Sequence, residues 1–218
     1  MEKLIAGIAR FQNEVFPTSR HLYQQLAEGQ QPETMYIGCS DSRVLPNELM
    51  QARPGELFIC RNAGNIVPPY GEILGGTAAT VEYAVQILKV RHIVLCGHSD
   101  CGAMRALMSP ERLVGMRAVS QWIRHAERVS AVAKELHGDL NDKDFLTRLI
   151  EENVITQLDN LLTYPCVAAK IRSGNLQVHG LVFDIANGEF VMLDRSSLTF
   201  MPLSEVMERR KASQPIEV

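Results

Sequence analysis

Three short apolar segments most restrict the fold that this 218-residue chain can adopt. They cover residues 34–39, 56–60 and 91–96, and each is apolar on both of its faces. Residues 76–88, which separate the last two segments, carry the spacing of a helix. Strands that bury both faces and are joined by helical crossovers form parallel sheets. The pattern therefore predicts an α/β fold with a mostly parallel central β-sheet flanked by helices.

The rest of the chain carries helical spacing and one hairpin signal. Further helices are predicted over residues 4–15, 19–28, 116–136 and 142–162, the first of them ending at Pro17. Two strands, 177–184 and 189–193, flank the turn pair Asn187-Gly188, which favours a hairpin, and a polar tail follows Pro202. Because no linker or repeat interrupts the pattern, we expect a single domain over residues 1–218, with an N-terminal helical arm and a C-terminal hairpin.

Composition and charge exclude several classes of function. The formal net charge is −3, so the chain has no broad basic face for nucleic acid. No run approaches the roughly 18 apolar residues of a membrane span, and we expect no membrane partner. The five cysteines are an odd number without regular spacing, which favours a reduced, cytoplasmic chain. In such a chain a cysteine pattern more often indicates a metal site or catalysis than a disulfide framework.

Two polar motifs stand at the ends of predicted parallel strands. They are Cys39-Ser40-Asp41-Ser42-Arg43 and Gly97-His98-Ser99-Asp100-Cys101-Gly102. Ligands of open α/β sheets bind beyond the carboxyl ends of the strands. Cys39, His98 and Cys101 would supply two thiolates and an imidazole, a zinc set that leaves a fourth position open. Spacing alone leaves a second interpretation open, in which the cysteines are small buried residues and His98 is a hydrogen-bonded structural histidine.

Asp41 and Arg43 favour the catalytic interpretation. On an extended chain, residues two apart point the same way, so Cys39, Asp41 and Arg43 would face one site. A guanidinium beside a carboxylate keeps that carboxylate ionised. The alternative is an isolated surface ion pair, which contributes under about 1 kcal/mol. The neighbouring candidate metal ligand argues against that alternative. Cys60, Cys96 and Cys166 are interpreted as core residues.

Together the two motifs resemble the paired signature of the β-class carbonic anhydrases. The resemblance continues through residues 54–58, 61–65 and 82–85, and it covers about residues 30–184. The resemblance is strongest to bacterial members encoded with cyanase and to plant and cyanobacterial members. It implies a cytoplasmic lyase in which zinc-bound hydroxide attacks carbon dioxide, giving bicarbonate and a proton reversibly. It also implies a homodimer or higher homo-oligomer in which the arm, residues 1–30, is exchanged.

The resemblance also assigns roles to individual residues. It implies that Cys39, His98 and Cys101 hold one Zn²⁺ per chain, and that Asp41 and Arg43 form an orienting pair. It implies that Gln30 and the Gly102 backbone N–H bind a substrate oxygen, and that Phe58 and Tyr83 line the substrate pocket across the dimer interface. Small, uncharged carbon dioxide suits such an apolar lining.

One departure from the family pattern predicts an open metal site. Some members close at lower pH, when the aspartate turns onto zinc and bicarbonate fills a nearby non-catalytic pocket. That pocket uses a tryptophan, a glycine and a tyrosine, and the matching positions here are Tyr36, Gly38 and Phe183. An anion without its donors is costly to bury. We therefore expect Asp41 to pair with Arg43 and to leave the fourth metal position free.

Two other functions remain compatible with the motifs. A relative with the same zinc site and a different channel would hydrolyse carbon disulfide or carbonyl sulfide. A non-catalytic, zinc-bearing scaffold would bind partner proteins. A scaffold has no use for an Asp41–Arg43 pair or for an open fourth position, so the sequence favours an enzyme.

Overall fold

A six-stranded sheet forms the centre of the molecule, whose computed structural model describes residues 1–72 and 75–212. The strands are β1 (Thr34–Cys39), β2 (Leu57–Asn62), β3 (His92–His98), β4 (Gln177–Asp184), β5 (Glu189–Asp194) and β6 (Thr199–Pro202). They lie in the order β2-β1-β3-β4-β5-β6. The first four are parallel, and β5 and β6 continue the sheet in antiparallel fashion. The predicted α/β class with a mostly parallel sheet is confirmed.

Ten α-helices among the described residues surround this sheet. They are α1 (Glu2–Arg10), α2 (Phe16–Leu26), α3 (Pro46–Leu49), α4 (Gly76–Glu82), α5 (Gly102–Met108), α6 (Arg117–Ile123), α7 (Glu127–His137), α8 (Asp142–Leu162), α9 (Pro165–Arg172) and α10 (Leu203–Ala212). The central helix, α8, crosses β3 and β4. It lies close because Gly97 and Gly180 face it without side chains: a Cβ at Gly180 would come within 2.8 Å of Val154. In the described part of the chain, no helix combines the length and the apolar character that a membrane span needs.

The strand order determines where a site can form. The chain passes from β1 outward to β2, then crosses back over β1 to reach β3 on its other side. This reversal leaves a crevice between the carboxyl ends of β1 and β3, where open α/β sheets bind ligands. Cys39 is the last residue of β1 and His98 is the last residue of β3. Both candidate motifs therefore meet at the crevice.

The structure corrects the prediction that Pro17 ends the first helix. A π-helical turn, Phe11–Val15, connects α1 to α2, and Pro17 lies in the first turn of α2. A proline in a continuing helix lacks one backbone hydrogen bond and crowds the preceding turn, and the π-helical turn lies just before Pro17, where the chain must accommodate its ring. The N-terminal arm is therefore two helices in near-continuous succession, and neither contains a buried residue.

One further helix prediction is wrong, and the hairpin prediction is confirmed with an added strand. The single helix expected over 116–136 is broken by a 3₁₀ turn, Arg124–Ala126, which separates α6 from α7 and lets α7 pack along α8. The predicted hairpin forms, with a four-residue loop at 185–188, but it gains a third strand when β6 pairs with β5. The polar tail is helical over α10, and residues 213–218 lie outside the described part of the chain.

Candidate metal centre

Cys39, His98 and Cys101 converge in the crevice between β1 and β3. One ligand atom from each of the three lies within 4.8 Å of the other two, and all three residues are buried. The strand ends supply Cys39 and His98, and Cys101 directly precedes α5. Among residues 1–72 and 75–212, this is the only group of three or more such side chains placed to share an ion. The sequence therefore predicted which residues would meet.

The hydrogen bonding of His98 leaves its Nε2 atom available to bind a metal. Its Nδ1 lies 2.9 Å from the Ser99 carbonyl oxygen. A carbonyl only accepts hydrogen bonds, so Nδ1 carries the proton and Nε2 keeps its lone pair. That Nε2 is buried and has no hydrogen-bond partner among the described residues. A buried acceptor without a partner is costly, and a metal ion accounts for it.

The two thiols differ in their tendency to ionise. A hydrogen bond from Cys101, helped by the Gly64 backbone N–H, holds the pKa of Cys39 well below its usual value. The same contact with Cys39, together with burial, raises the pKa of Cys101. This contact therefore favours a thiolate at Cys39 and leaves the proton on Cys101. A dication that displaced this proton would meet two thiolates, which would neutralise its charge, so the three residues fit Zn²⁺.

Asp41 and Arg43 form a bidentate ion pair beside the three ligands. Arg43 Nε donates to Asp41 Oδ1 at 2.9 Å, and Arg43 Nη2 donates to Oδ2 at 2.8 Å. These bonds hold the pKa of the Asp41 carboxyl well below its usual range. Asp41 Oδ2 also lies 3.8 Å from His98 Nε2. An ionised carboxylate is thus fixed at the edge of the metal centre, as the open form requires.

The geometry of this pair differs from the one that the sequence suggested. We predicted an extended segment in which alternate residues share a face, but the chain turns at Ser42 and Arg43. The backbone N–H of Arg43 donates to Asp41 Oδ1 at 3.0 Å, and that of Val44 donates to the Asp41 carbonyl at 3.0 Å. A tight turn, with the aspartate side chain capping it, brings the two residues together.

The space beside Gly38 is filled by an aromatic ring. A Cβ added at Gly38 would collide with the Tyr36 side chain, which is fully buried. Phe183, also buried, stacks against Phe190 with 4.9 Å between ring centroids. Tyr36 and Phe183 belong to one buried cluster, and the Tyr36 hydroxyl has no hydrogen-bond partner among the described residues.

Asp100 and Arg105 extend the ion pair of Asp41 and Arg43 into a larger charged network. The sequence analysis did not predict a role for either residue. Arg43 Nη1 donates to Asp100 Oδ2 at 3.1 Å, and Arg105 Nε donates to Asp100 Oδ1 at 2.6 Å. Asp100 stands inside a motif that we singled out, but its partner lies 57 residues away. Only the meeting of β1 and β3 reveals the contact.

Arg61 was also missed. Its Nε donates to the Cys39 carbonyl at 2.8 Å, and its Nη2 donates to the Asp41 carbonyl at 2.7 Å. One guanidinium thereby fixes the backbone on both sides of Ser40. A sequence offers no signal for side-chain bonds to backbone atoms of another strand.

The predicted substrate-binding residues do not all lie beside the three candidate metal ligands. Gly102 adjoins Cys101 at the start of α5. Phe58 contacts Tyr83, with ring centroids 5.8 Å apart, but Phe58 pairs with Met35, four residues before Cys39 on β1. That is roughly 13 Å along the strand. Within one chain, the backbone at Phe58 therefore lies well away from the metal centre. Gln30 is exposed in the loop after α2.

Comparison with known proteins identifies the family. A family model described as "Carbonic anhydrase" matches residues 34–190. The chain belongs to the carbonic anhydrase family. A curated carbonic anhydrase from Pseudomonas aeruginosa is 47% identical over 210 residues, which cover 96% of this chain and 95% of the relative.

Solved structures place the chain among the β-class members. The β-carbonic anhydrase CcaA superposes with a TM-score of 0.90 at 39% identity, over 93% of this chain and 98% of that one. A tetrameric β-carbonic anhydrase from Sordaria macrospora gives a TM-score of 0.72 at 36% identity, over 88% and 92%. The family predicted from the motifs is confirmed, whereas the finer resemblance to cyanase-associated members stays a prediction.

Proposed function

We propose that this chain catalyses the reversible hydration of carbon dioxide to bicarbonate and a proton, with one zinc ion per chain. The observation that carries the proposal is the buried triad of Cys39, His98 and Cys101 beside an ionised, arginine-held Asp41. The family membership of the chain and the named relatives support it. Zinc held by this triad would act as a Lewis acid and would make hydroxide available at neutral pH.

The side chains around the triad have separate tasks in this proposal. Asp41 Oδ2, the oxygen nearer His98 Nε2, accepts the hydrogen of the nucleophile and so directs a lone pair toward the substrate. Arg43 keeps both Asp41 oxygens in place. The Gly102 backbone N–H donates to the substrate oxygen on which negative charge develops. The Ser99 carbonyl holds the His98 ring and fixes its tautomer.

We further propose that the substrate pocket is completed by a second copy of the chain. The arm offers an unburied apolar stripe, in which Leu4, Ile5 and Ile8 are each more than half exposed. Such a stripe needs a partner surface. Tyr83, 45% exposed, and the exposed Gln30 are available to the partner's site. Exchange of the arm, residues 1–30, would carry Gln30 across to the second copy.

Complementation between two inactive chains tests this arrangement. One chain carries Cys101→Ala, and the other carries Gln30→Ala with Tyr83→Ala. If lining residues act across the interface, each mixed dimer contains one intact site. Random pairing then restores about a quarter of the wild-type rate, since half of the dimers are mixed. If the residues act within their own chain, mixing restores nothing.

Cytoplasmic location is a further proposal. The five cysteines are all free thiols, and three of them lie outside the candidate centre. Free thiols persist in a reducing compartment. Fractionation of cells that express a tagged chain would test the location.

No observation favours the sulfur-gas hydrolase or the scaffold. Initial rates on carbon dioxide, carbon disulfide and carbonyl sulfide, measured with one zinc-loaded preparation, separate the three functions. We expect hydration of carbon dioxide to be the fastest by far. A faster reaction with either sulfur gas, or no reaction with any of the three, would refute the proposal.

A further inference from the structure

A backbone N–H from the segment after β2 points at the Cys39 sulfur. The Gly64 N–H donates to Cys39 Sγ at 3.4 Å in a buried environment. Gly64 has φ +81°, in the left-handed region, and a Cβ there would come within 2.8 Å of the Ala103 Cβ. Only glycine combines this conformation with so close an approach. The hydrogen bond therefore depends on a backbone geometry that the segment must hold.

Two side chains from distant helices hold the backbone on either side of this N–H. Trp122 on α6 donates its indole N–H to the Ala63 carbonyl at 2.8 Å. Ala63 C=O and Gly64 N–H belong to the same peptide unit, so Trp122 fixes the opposite side of the group that faces Cys39. Asn153 on α8 donates to the Gly64 carbonyl at 3.0 Å and fixes the next peptide unit.

A row of buried amides on α8 supports Asn153. Gln157 Nε2 donates to Asn153 Oδ1 at 3.0 Å, and Gln157 Oε1 accepts from the Val67 N–H at 2.8 Å. Asn160 Nδ2 donates to the Val67 carbonyl at 2.9 Å. At most 5% of each of these three side-chain residues is exposed. Each amide thus finds partners in the segment, which makes a polar row tolerable inside the core.

We propose that Trp122 and Asn153 are positioning residues for the metal centre. They hold the Ala63–Gly64 peptide so that its N–H stays on the Cys39 thiolate. A hydrogen bond to a metal-bound sulfur draws charge away from that sulfur and fixes its orientation, and such outer contacts tune both affinity and electronic structure. The inference rests on the proposed role of Cys39 as a ligand.

Cobalt-substituted protein reports this contact directly. Co²⁺ takes tetrahedral sulfur and nitrogen ligands and gives a thiolate-to-metal absorption band in the near ultraviolet. Loss of the N–H···S bond raises the energy of the sulfur electrons, so the band moves to longer wavelength. The variants are Trp122→Phe, which keeps a ring but removes the donor, and Asn153→Ala. Tyr164→Phe is the matched control, because it removes a buried hydrogen bond to the same segment, from the Tyr164 hydroxyl to the Pro68 carbonyl, and keeps the three amides of the row.

We expect the band to move to longer wavelength in Trp122→Phe and Asn153→Ala and to keep its wild-type position in Tyr164→Phe. We also expect zinc transfer from the two variants to a chelator to be about tenfold faster than from wild type. Trp122 is only partly buried, so its variant is expected to fold even if Asn153→Ala does not.

Three outcomes would overturn the inference, and the last of them is distinguishable from the other two. If the wild-type cobalt protein has the band and neither positioning variant moves it, only the role of Trp122 and Asn153 is refuted. The same holds if Tyr164→Phe moves the band equally. If the wild-type cobalt protein has no thiolate band, the ligand assignment fails, and the inference fails with it.

Discussion

Substitution of Arg43 tests the function of the ion pair beside the metal centre. In Arg43→Gln, Asp41 loses two side-chain hydrogen bonds of 2.9 and 2.8 Å; the bond from the backbone N–H of residue 43 to Oδ1 remains, but Oδ2 loses the donor that holds it. The carboxyl pKa then rises toward its ordinary value near 4, which still leaves Asp41 ionised at neutral pH. The substitution therefore removes orientation without removing the charge.

The expected loss of turnover follows from this distinction. A group that is oriented toward developing charge contributes roughly 10²–10³ in kcat when it is held in place. Arg43 is one contact removed from the reaction, so we expect a decrease of about a hundredfold, at the lower end of this range. Thermal stability should change little, because 44% of the Arg43 side chain is exposed and its ion pairs are screened by water.

Stopped-flow hydration of carbon dioxide with a pH indicator, combined with metal analysis, measures this effect. Arg105→Gln is the matched control: Arg105 contacts Asp100 and makes no contact with Asp41. We expect the control to stay within about threefold of wild type, as for a surface ion pair. If Arg43→Gln retained its zinc and turned over within threefold of wild type, the orienting role of the pair would be refuted.

Three further predictions concern Asp41 and the row of buried amides on α8. Asp41→Ala should keep its zinc and lose most of its hydration rate at neutral pH; an unchanged rate would make the pair a surface feature. A crystal structure grown near neutral pH should place Asp41 on Arg43, and Asp41 bound to zinc with Arg43 unpaired would contradict the open form. Gln157→Leu should lower the free energy of unfolding by about 2–5 kcal/mol in urea titrations, because the Val67 N–H and Asn153 Oδ1 lose buried partners; a loss below 1 kcal/mol would show that the row is dispensable.

Local sequence patterns predicted the central parallel strands and the meeting of the two motifs. Apolar runs predicted β1, β2 and β3, and the motifs at the ends of β1 and β3 predicted that Cys39 and His98 would meet. Both follow from a general property of parallel sheets, in which the carboxyl ends of neighbouring strands share one edge.

Contacts between distant elements could not be predicted from local sequence patterns. Asn153, Gln157 and Asn160 are polar residues within the helix predicted over 142–162, yet they are buried against the segment after β2. The bond from Trp122 to Ala63 spans 59 residues. The direction of such a side chain depends on helix packing, which no sequence window contains. The turn that joins Asp41 to Arg43 was missed for a different reason, since one aspartate side chain changed an extended segment into a turn.

Zinc content and carbon dioxide hydration of Cys101→Ala, measured on one preparation, test the central claim most directly. Cys166→Ala is the control, because Cys166 is also a free thiol but lies outside the triad. We predict close to one zinc per chain and full activity in wild type and in Cys166→Ala, and loss of most of both in Cys101→Ala. A Cys101→Ala protein that kept a full equivalent of zinc and the wild-type rate would contradict the account.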